Sequence, residues 1–429
     1  MNERTLCFGV DVHREQLVLR AADQATGLER GSLLRVPNNR LGAEQAITWL
    51  RQLAAGTDGG SYDRLVGGLE ATGLLWLPFH VYLTESAALQ PFHLQLVCFN
   101  PKLIADFKKG VVLADDKDDA RDAWGIVERV RFGRLPTSYV PGAFWQGLRR
   151  LTRYRFHLAQ MIARESTRFG THVFLKWSDW QRLAPFSDLL GATSATLLTQ
   201  YSTADLMALS LPQLTDLIDQ LGKRRFSDPQ ATARKVQQAL AQSYPVPPPL
   251  EEAIMTVLTV QLDHIHAGEK LIKRLDHDIA HFIQAVPNPL LSVRGLGPII
   301  TAGILAEVTD IARFPGDPQL AKYAGLAWRK HASAGFVAQD TRLSKVGNVY
   351  LRYYLVQGAN LLRQYNLDYQ AYYWRKVEET PKHKHKRALV LTARKLTRLV
   401  YALLTKNQPF VARRTDDDSP EAVGVPQAA

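Results

Sequence analysis

Cysteine is nearly missing from this chain: Cys7 and Cys98 are the only two in 429 residues. Both stand in apolar, strand-like runs and read as buried free thiols. Two such residues rule out a cysteine-based zinc site, and their scarcity suits a reducing cytoplasm. Also missing is any run of about 18 uncharged apolar residues, the length a membrane-spanning helix needs, so no membrane partner is expected. The start, Met1-Asn2-Glu3-Arg4, runs straight into a strand-like segment and does not read as a signal peptide. No internal repeat is visible. Negative charge is in short supply: 41 Asp and Glu face 53 Lys and Arg, a net charge of +12. An excess of that size favours a polyanionic partner, nucleic acid before membrane.

What is present falls into contrasting stretches. Residues 5–12 (TLCFGVDV) read as a buried strand, 15–22 as its hairpin partner, 64–70 (RLVGGLE) as another strand and 94–99 as a further one. Helical patterns at 41–53 and 74–84 lie between them, and Asn100-Pro101 reads as a breaker. Interleaved strands and helices make residues 1–143 an α/β domain. Strand signals then fade. Residues 144–174 are long, basic and periodic, and 250–283 run without proline, so 144–288 read as a helical region. Its second long stretch fits a two-helix antiparallel arm, a coiled-coil contact between copies or an ordinary bundle helix. Residues 289–376 form a mainly α-helical segment in which Gly295-Leu296-Gly297-Pro298, placed between two apolar helices, suits a tight turn or a phosphate-binding helix start. Residues 377–429 read as a basic helical tail with a disordered end.

Acids carry the chemistry. Five aspartates occupy the eight positions 115–122, at the start of a helix. Asp119 and Asp122, three apart, project from one face. Such a pair is either a solvated helix start favoured by the macrodipole or part of a cation site. Asp11 stands in the middle of an apolar strand, where a charge is costly unless paired or coordinated, and Glu70 ends a second strand. Four acids that converge bind Mg²⁺ (or Mn²⁺) well, because hard oxygen ligands match a hard cation. A cation held there can polarise a phosphodiester. Two strand acids followed by a helical pair point to an RNase H-like, metal-dependent nucleic-acid enzyme.

These pieces resemble the transposases of the IS110 family, whose N-terminal domain is RuvC-like with a DEDD acid set. The match rests on Gly9-Val10-Asp11-Val12, Leu69-Glu70-Ala71-Thr72-Gly73, Asn100-Pro101 and Lys117-Asp118-Asp119-Ala120-Arg121-Asp122-Ala123. Asp118 stands where the family usually has threonine, and Asp116 to Ala120 also fits the Asp-x-x-Asp-Ala pattern. Lys117 favours the register that uses Asp119 and Asp122. In the C-terminal half, Gly295 to Pro298, Tyr323-Ala324-Gly325-Leu326 and Ser344-Lys345-Val346-Gly347-Asn348 match the family's second conserved domain.

The resemblance implies a nucleophilic serine between the last two pieces. Ser333 lies there, one residue further from its glycine than usual, and Ser344 is the fallback. It implies phosphoserine-linked strand exchange between donor and target double-stranded DNA, on a homo-oligomer, a dimer or tetramer, whose protomers share composite sites. It also implies a structured non-coding guide (bridge) RNA and a bacterial, cytoplasmic setting at the nucleoid. Lys117, Arg329, Lys330, His331, Arg342, Lys345, Asn348 and Arg352 are the expected nucleic-acid contacts. The rival reading is a junction-resolving or RNase H-type nuclease that uses water, with Ser333 structural.

Overall fold

The structure is a computed structural model. It describes residues 3–56, 60–111, 118–136, 139–328, 332–333, 336–337, 343–344 and 346–411. The chain divides into two units, Met1–Val140 and Pro141–Ala429.

The first unit is built on a mixed five-stranded sheet of order β3-β2-β1-β4-β5. Its strands are β1 (Thr5–Val12), β2 (Gln16–Asp23), β3 (Leu34–Pro37), β4 (Arg64–Glu70) and β5 (Gln95–Phe99). β1 pairs antiparallel with β2, and β2 with β3, whereas β1–β4 and β4–β5 are parallel. The helices are α1 (Arg40–Ala55), α2 (Leu77–Thr84), α3 (Pro101–Val111) and α4 (Asp119–Arg131). Alternation along the strands sorts side chains onto two faces. Leu6, Phe8 and Val10 of β1, with Leu65 and Leu69 of β4, enter a core with Leu50 of α1 and Phe79 of α2. Cys7 and Val66 point the other way, into a second core with Ile126, Val127 and Val130 of α4. Asp11 and Glu70 fall on this second face by the same alternation.

Three elements depart from the sequence reading. β3 is only four residues long, with Val36 its one buried side chain, too little for a pattern to register. Asn100-Pro101 ends β5 at Phe99, as read, and also opens a helix that the sequence reading did not place: proline occupies the first turn of α3, where no backbone donor is missed, and the Asn100 side chain accepts the Lys102 N–H at 2.9 Å. The helix expected from residue 74 starts at Leu77.

In the second unit, α5 (Ala143–Lys176) and α11 (Pro248–Gln284) form an antiparallel arm. Leu148 shares a core with Ile279 and Ile283, Arg155 pairs with Asp276, and Phe169 and Val173 meet Ile254 and Leu258. Of the three readings of the long helix, the antiparallel arm within one chain is the one seen. Between them the chain folds into a small bundle of α6 (Trp180–Leu183), α7 (Ala192–Gln200), α8 (Thr203–Met207), α9 (Leu211–Leu221) and α10 (Pro229–Gln242).

The other end of the arm shares its core with α12 (Pro298–Val308), α13 (Asp317–Tyr323), α14 (Val349–Tyr365), α15 (Leu367–Glu378) and α16 (Lys384–Lys406). A two-residue ladder, β6 (Ala332–Ser333) with β7 (Phe336–Val337), precedes α14. Ahead of the Gly295 turn stands a 3₁₀ turn, Pro289–Ser292, and no α-helix. Gly295 has φ 103°, a conformation that needs glycine, and Gly297 caps α12. The basic segment from Lys384 is no loose tail. Ala393, Leu396 and Val400 of α16 are buried in the common core; Lys384, Lys386, Arg387 and Arg398 are exposed, while Arg394 is largely covered and pairs with Asp317.

The second unit is pinned by a buried charge cluster. Glu307 is fully buried and takes Arg153 on both oxygens, at 2.7 and 2.8 Å, while the Asn348 amide donates to it at 2.7 Å. Arg149 stands 3.6 Å away and donates to the Ala306 carbonyl. One carboxylate with this many donors is satisfied despite its burial.

Candidate metal centre

Helix α4 comes unusually close to the sheet because β1 and β4 carry glycine beneath it. A Cβ on Gly9 would stand 2.3 Å from the Ala123 carbonyl oxygen and 2.7 Å from the Val127 nitrogen, inside the helix backbone. A Cβ on Gly68 would meet side chains of Phe99, Val130 and Ile126. The missing Cβ atoms let the helix settle with its first turn over the ends of β1 and β4. That first turn carries Asp119 and Asp122. Asp118 is the N-cap and accepts the Ala120 N–H at 3.2 Å. Threonine and aspartate are both good N-caps, so aspartate at 118 keeps the helix start intact.

Val10 pairs with Leu69 in the parallel register, so Asp11 and Glu70, one residue on, are neighbours at the C-terminal ends of adjacent strands. Ligand sites of α/β sheets gather at such ends. Asp11 is the seventh of eight residues in β1, not the middle of a longer strand, and its side chain is 15% exposed. Burial raises its pKa. The His13 contact opposes this, the Asp122 charge adds to it, and Lys108 lowers it. An anion held in a place that disfavours its charge is a good partner for a cation.

Three donors converge. One ligand atom each from Asp11, His13 and Asp119 lie within 4.8 Å of one another. His13 Nε2 is 2.9 Å from Asp11 Oδ2 and 3.3 Å from Asp119 Oδ1. Two carboxylates and an imidazole suit a divalent cation in both number and type. Two protein cations and an amide meet the acids as well: Lys108 Nζ is 2.7 Å from Asp122, Arg35 is 3.6 Å from Asp119, and the Gln16 amide donates to Asp119 at 3.1 Å. Glu70 accepts the Thr72 hydroxyl at 2.6 Å and does not join the close group. Beside the acids opens a cavity of about 680 Å³, lined by His13, Arg14, Gln16 and Arg35 among others.

Of the sequence candidates, Asp11 and Asp119 therefore meet, Asp122 stands within electrostatic reach of Asp11, and Glu70 neighbours Asp11 in the sheet. His13, Gln16, Arg35 and Lys108 were missed. The residue two past a strand acid was the available signal for His13. The other three are brought in by β2, β3 and α3, which no local pattern reveals.

Ser333 is in β6, its backbone paired with Phe336. The Ser344 N–H donates to the Ala327 carbonyl at 2.8 Å. Asn348 commits its amide to the fold: its oxygen caps α14 through the Tyr350 and Leu351 N–H groups, and its nitrogen binds Glu307 and Tyr323. Arg352 donates to the Ala324 carbonyl at 3.3 Å. Lys117, Arg329, Lys330, His331, Arg342 and Lys345 lie outside the described residues. Among the described residues, no helix is long and apolar enough to cross a membrane.

Comparison with known proteins fits this arrangement. Residues 8–174 match the transposase family DEDD_Tnp_IS110, and residues 288–374 match the transposase IS116/IS110/IS902 family. The chain is 32% identical over 115 residues to a probable family 20 transposase of Pseudomonas aeruginosa, covering 26% of this chain and 34% of that protein. It is 27% identical over 157 residues to a pilin gene-inverting protein of Moraxella bovis, covering 35% and 48%. An uncharacterised 44.8 kDa protein of the insertion element IS116 from Streptomyces clavuligerus is 28% identical over 245 residues, covering 56% and 60%. The chain thus spans between about a third and three fifths of the curated relatives it matches. The two family segments together take in more than half of the chain, one around the acids and one around α12 to α15, and on that ground the protein belongs to the IS110 family of transposases.

Proposed function

We propose that this protein is a metal-dependent DNA recombinase that cuts and rejoins donor and target double-stranded DNA. The observation that carries the reading is the convergence of Asp11, His13 and Asp119 at the end of β1 and the start of α4, in a chain of this family. The strand order, with two parallel strands added beside an antiparallel three-strand meander, fits an RNase H-like, RuvC-like sheet. In this reading residues 1–143 carry the metal chemistry, 144–288 the helical arm, 289–376 the nucleophile and 377–429 the basic end.

Asp11, Asp119 and His13 would hold Mg²⁺ or Mn²⁺, with Glu70 and Asp122 beside them. A bound divalent cation supplies neutralisation of a phosphodiester and of the oxygen that leaves it. Arg14 and Arg35, lining the adjoining cavity, give guanidinium donors to the same backbone. Ser333 is the proposed nucleophile, on the strength of the resemblance. Its hydroxyl oxygen bonds to phosphorus as the bond to the 3′ oxygen breaks, and its proton ends on that oxygen. Attack by the 3′ hydroxyl of another strand reverses the step and frees the serine, with no water consumed. The Moraxella relative is described as inverting a pilin gene, an outcome that rejoining of this kind would give. Guidance by a structured non-coding RNA, and a dimer or tetramer, belong to the same proposal. The net charge of +12 supports polyanion binding.

The test incubates the protein with its flanking RNA, donor and target DNA and Mg²⁺. A covalent protein–DNA adduct, lost in Ser333→Ala, is expected. Continued cutting by Ser333→Ala without any adduct would establish the water-using nuclease instead.

A further inference from the structure

The small bundle between α5 and α11 contains a cavity of about 320 Å³, far along the sequence from the acids. The first turn of α7 forms one wall. Gly191 is the N-cap and gives no side chain to the first N–H groups, and no acid stands in that turn. The partial positive charge of the helix start is thus left uncompensated by its own residues. Ser194, in the same turn, lines the cavity, is 1% exposed, and its hydroxyl has no hydrogen-bond partner among the described residues. A buried hydroxyl without a partner is a cost the fold carries unless a ligand accepts the bond.

The opposite wall is the end of α9 and the turn after it, which brings Lys223 and Arg225 to the cavity. Lys223 and Arg224 have φ of 53° and 56°, left-handed values that neither residue favours. Asp188 is the one acid among the lining residues, and its carboxylate accepts the Leu190 N–H at 3.0 Å. Two cations, a bare helix start and an orphan hydroxyl outweigh it. Leu221, Phe186 and Phe226 line the rest with apolar surface that a sugar or base would cover.

We propose that this cavity binds one phosphate of a nucleic-acid backbone, seated between Ser194, the first turn of α7, Lys223 and Arg225. It is a site separate from the metal centre and does not depend on the reading of Ser333. A free inorganic phosphate would use the same donors, so the experiment separates the two sources.

Full-length protein would be titrated with a labelled, mixed-sequence single-stranded oligonucleotide at several KCl concentrations, without divalent cations. Lys223→Ala with Arg225→Ala should lower the slope of log affinity against log salt by about 0.7, the share of one phosphate contact on a single strand. Ser194→Ala should weaken binding about tenfold with the slope unchanged, as loss of one hydrogen bond to a charged group requires. The same variant should melt no lower than wild type when free, since it removes an unsatisfied hydroxyl. Wild-type affinity in Ser194→Ala would overturn the proposal. So would calorimetric binding of inorganic phosphate that Ser194→Ala abolishes while oligonucleotide affinity stays put, because the cavity would then serve the free anion.

Discussion

Replacing Gly9 with alanine tests how the metal centre is assembled. The added Cβ would lie 2.3 Å from the Ala123 oxygen and 2.7 Å from the Val127 nitrogen. Ordinary non-bonded separations exceed 3 Å, so α4 must retreat by about 1 Å. The obstacle is helix backbone, which cannot rotate aside. Overpacking of this kind costs about 1–3 kcal/mol. The retreat also carries Asp119 away from Asp11 and His13, and a ligand set tolerates only about 0.5 Å of misplacement. Denaturant unfolding should therefore show a loss in that range, and Mn²⁺ affinity, read by electron paramagnetic resonance, should fall more than tenfold. Gly68→Ala is the control. Its Cβ meets side chains of Phe99, Val130 and Ile126, which can shift, so metal affinity should suffer less than in Gly9→Ala. Undiminished stability and Mn²⁺ binding in Gly9→Ala would refute the idea that glycine sets the helix height and thereby the site.

Three further outcomes are expected. Glu307→Gln strands Arg153 and Arg149 in a buried place, and urea unfolding of the variant should show a loss of about 3–5 kcal/mol. Lys176 is buried and donates to the Leu198 and Tyr201 carbonyls, and burial lowers its pKa from 10.5 to about 8. The unfolded chain then binds more protons than the folded one between pH 8 and 10.5, so this residue's contribution rises as pH rises through that window. The stability difference between wild type and Lys176→Met should move in favour of wild type by about 3 kcal/mol from pH 7.5 to 10.5, and a flat difference would count against the burial. Finally, His13→Ala should weaken Co²⁺ binding more than Mg²⁺ binding in calorimetry, because an imidazole nitrogen is worth more to the softer ion.

The first unit was legible where its physics is local. β1 and β4 are apolar runs of seven or eight residues, and a carboxylate at the end of each stands out. The long arm helices were visible from their periodicity and from the lack of proline inside them. The convergence of donors was not legible. His13 reaches both carboxylates through the turn between β1 and β2, Arg35 arrives on a four-residue strand, and Lys108 on a helix whose first residue is a proline. Likewise, α16 looked like a solvated basic segment because its cations outnumber what its stripe of Ala393, Leu396 and Val400 announces. The role of Glu307 depends on arginines more than 150 residues earlier in the chain, and no window of sequence contains both.

Asp11, His13 and Asp119 are proposed to hold one divalent cation together. The most direct test is a Mn²⁺ titration of the full chain followed by electron paramagnetic resonance, comparing wild type with Asp11→Asn and Asp119→Asn. A saturable site that each substitution abolishes is predicted. Equal Mn²⁺ binding by all three proteins would show that these carboxylates do not hold the ion.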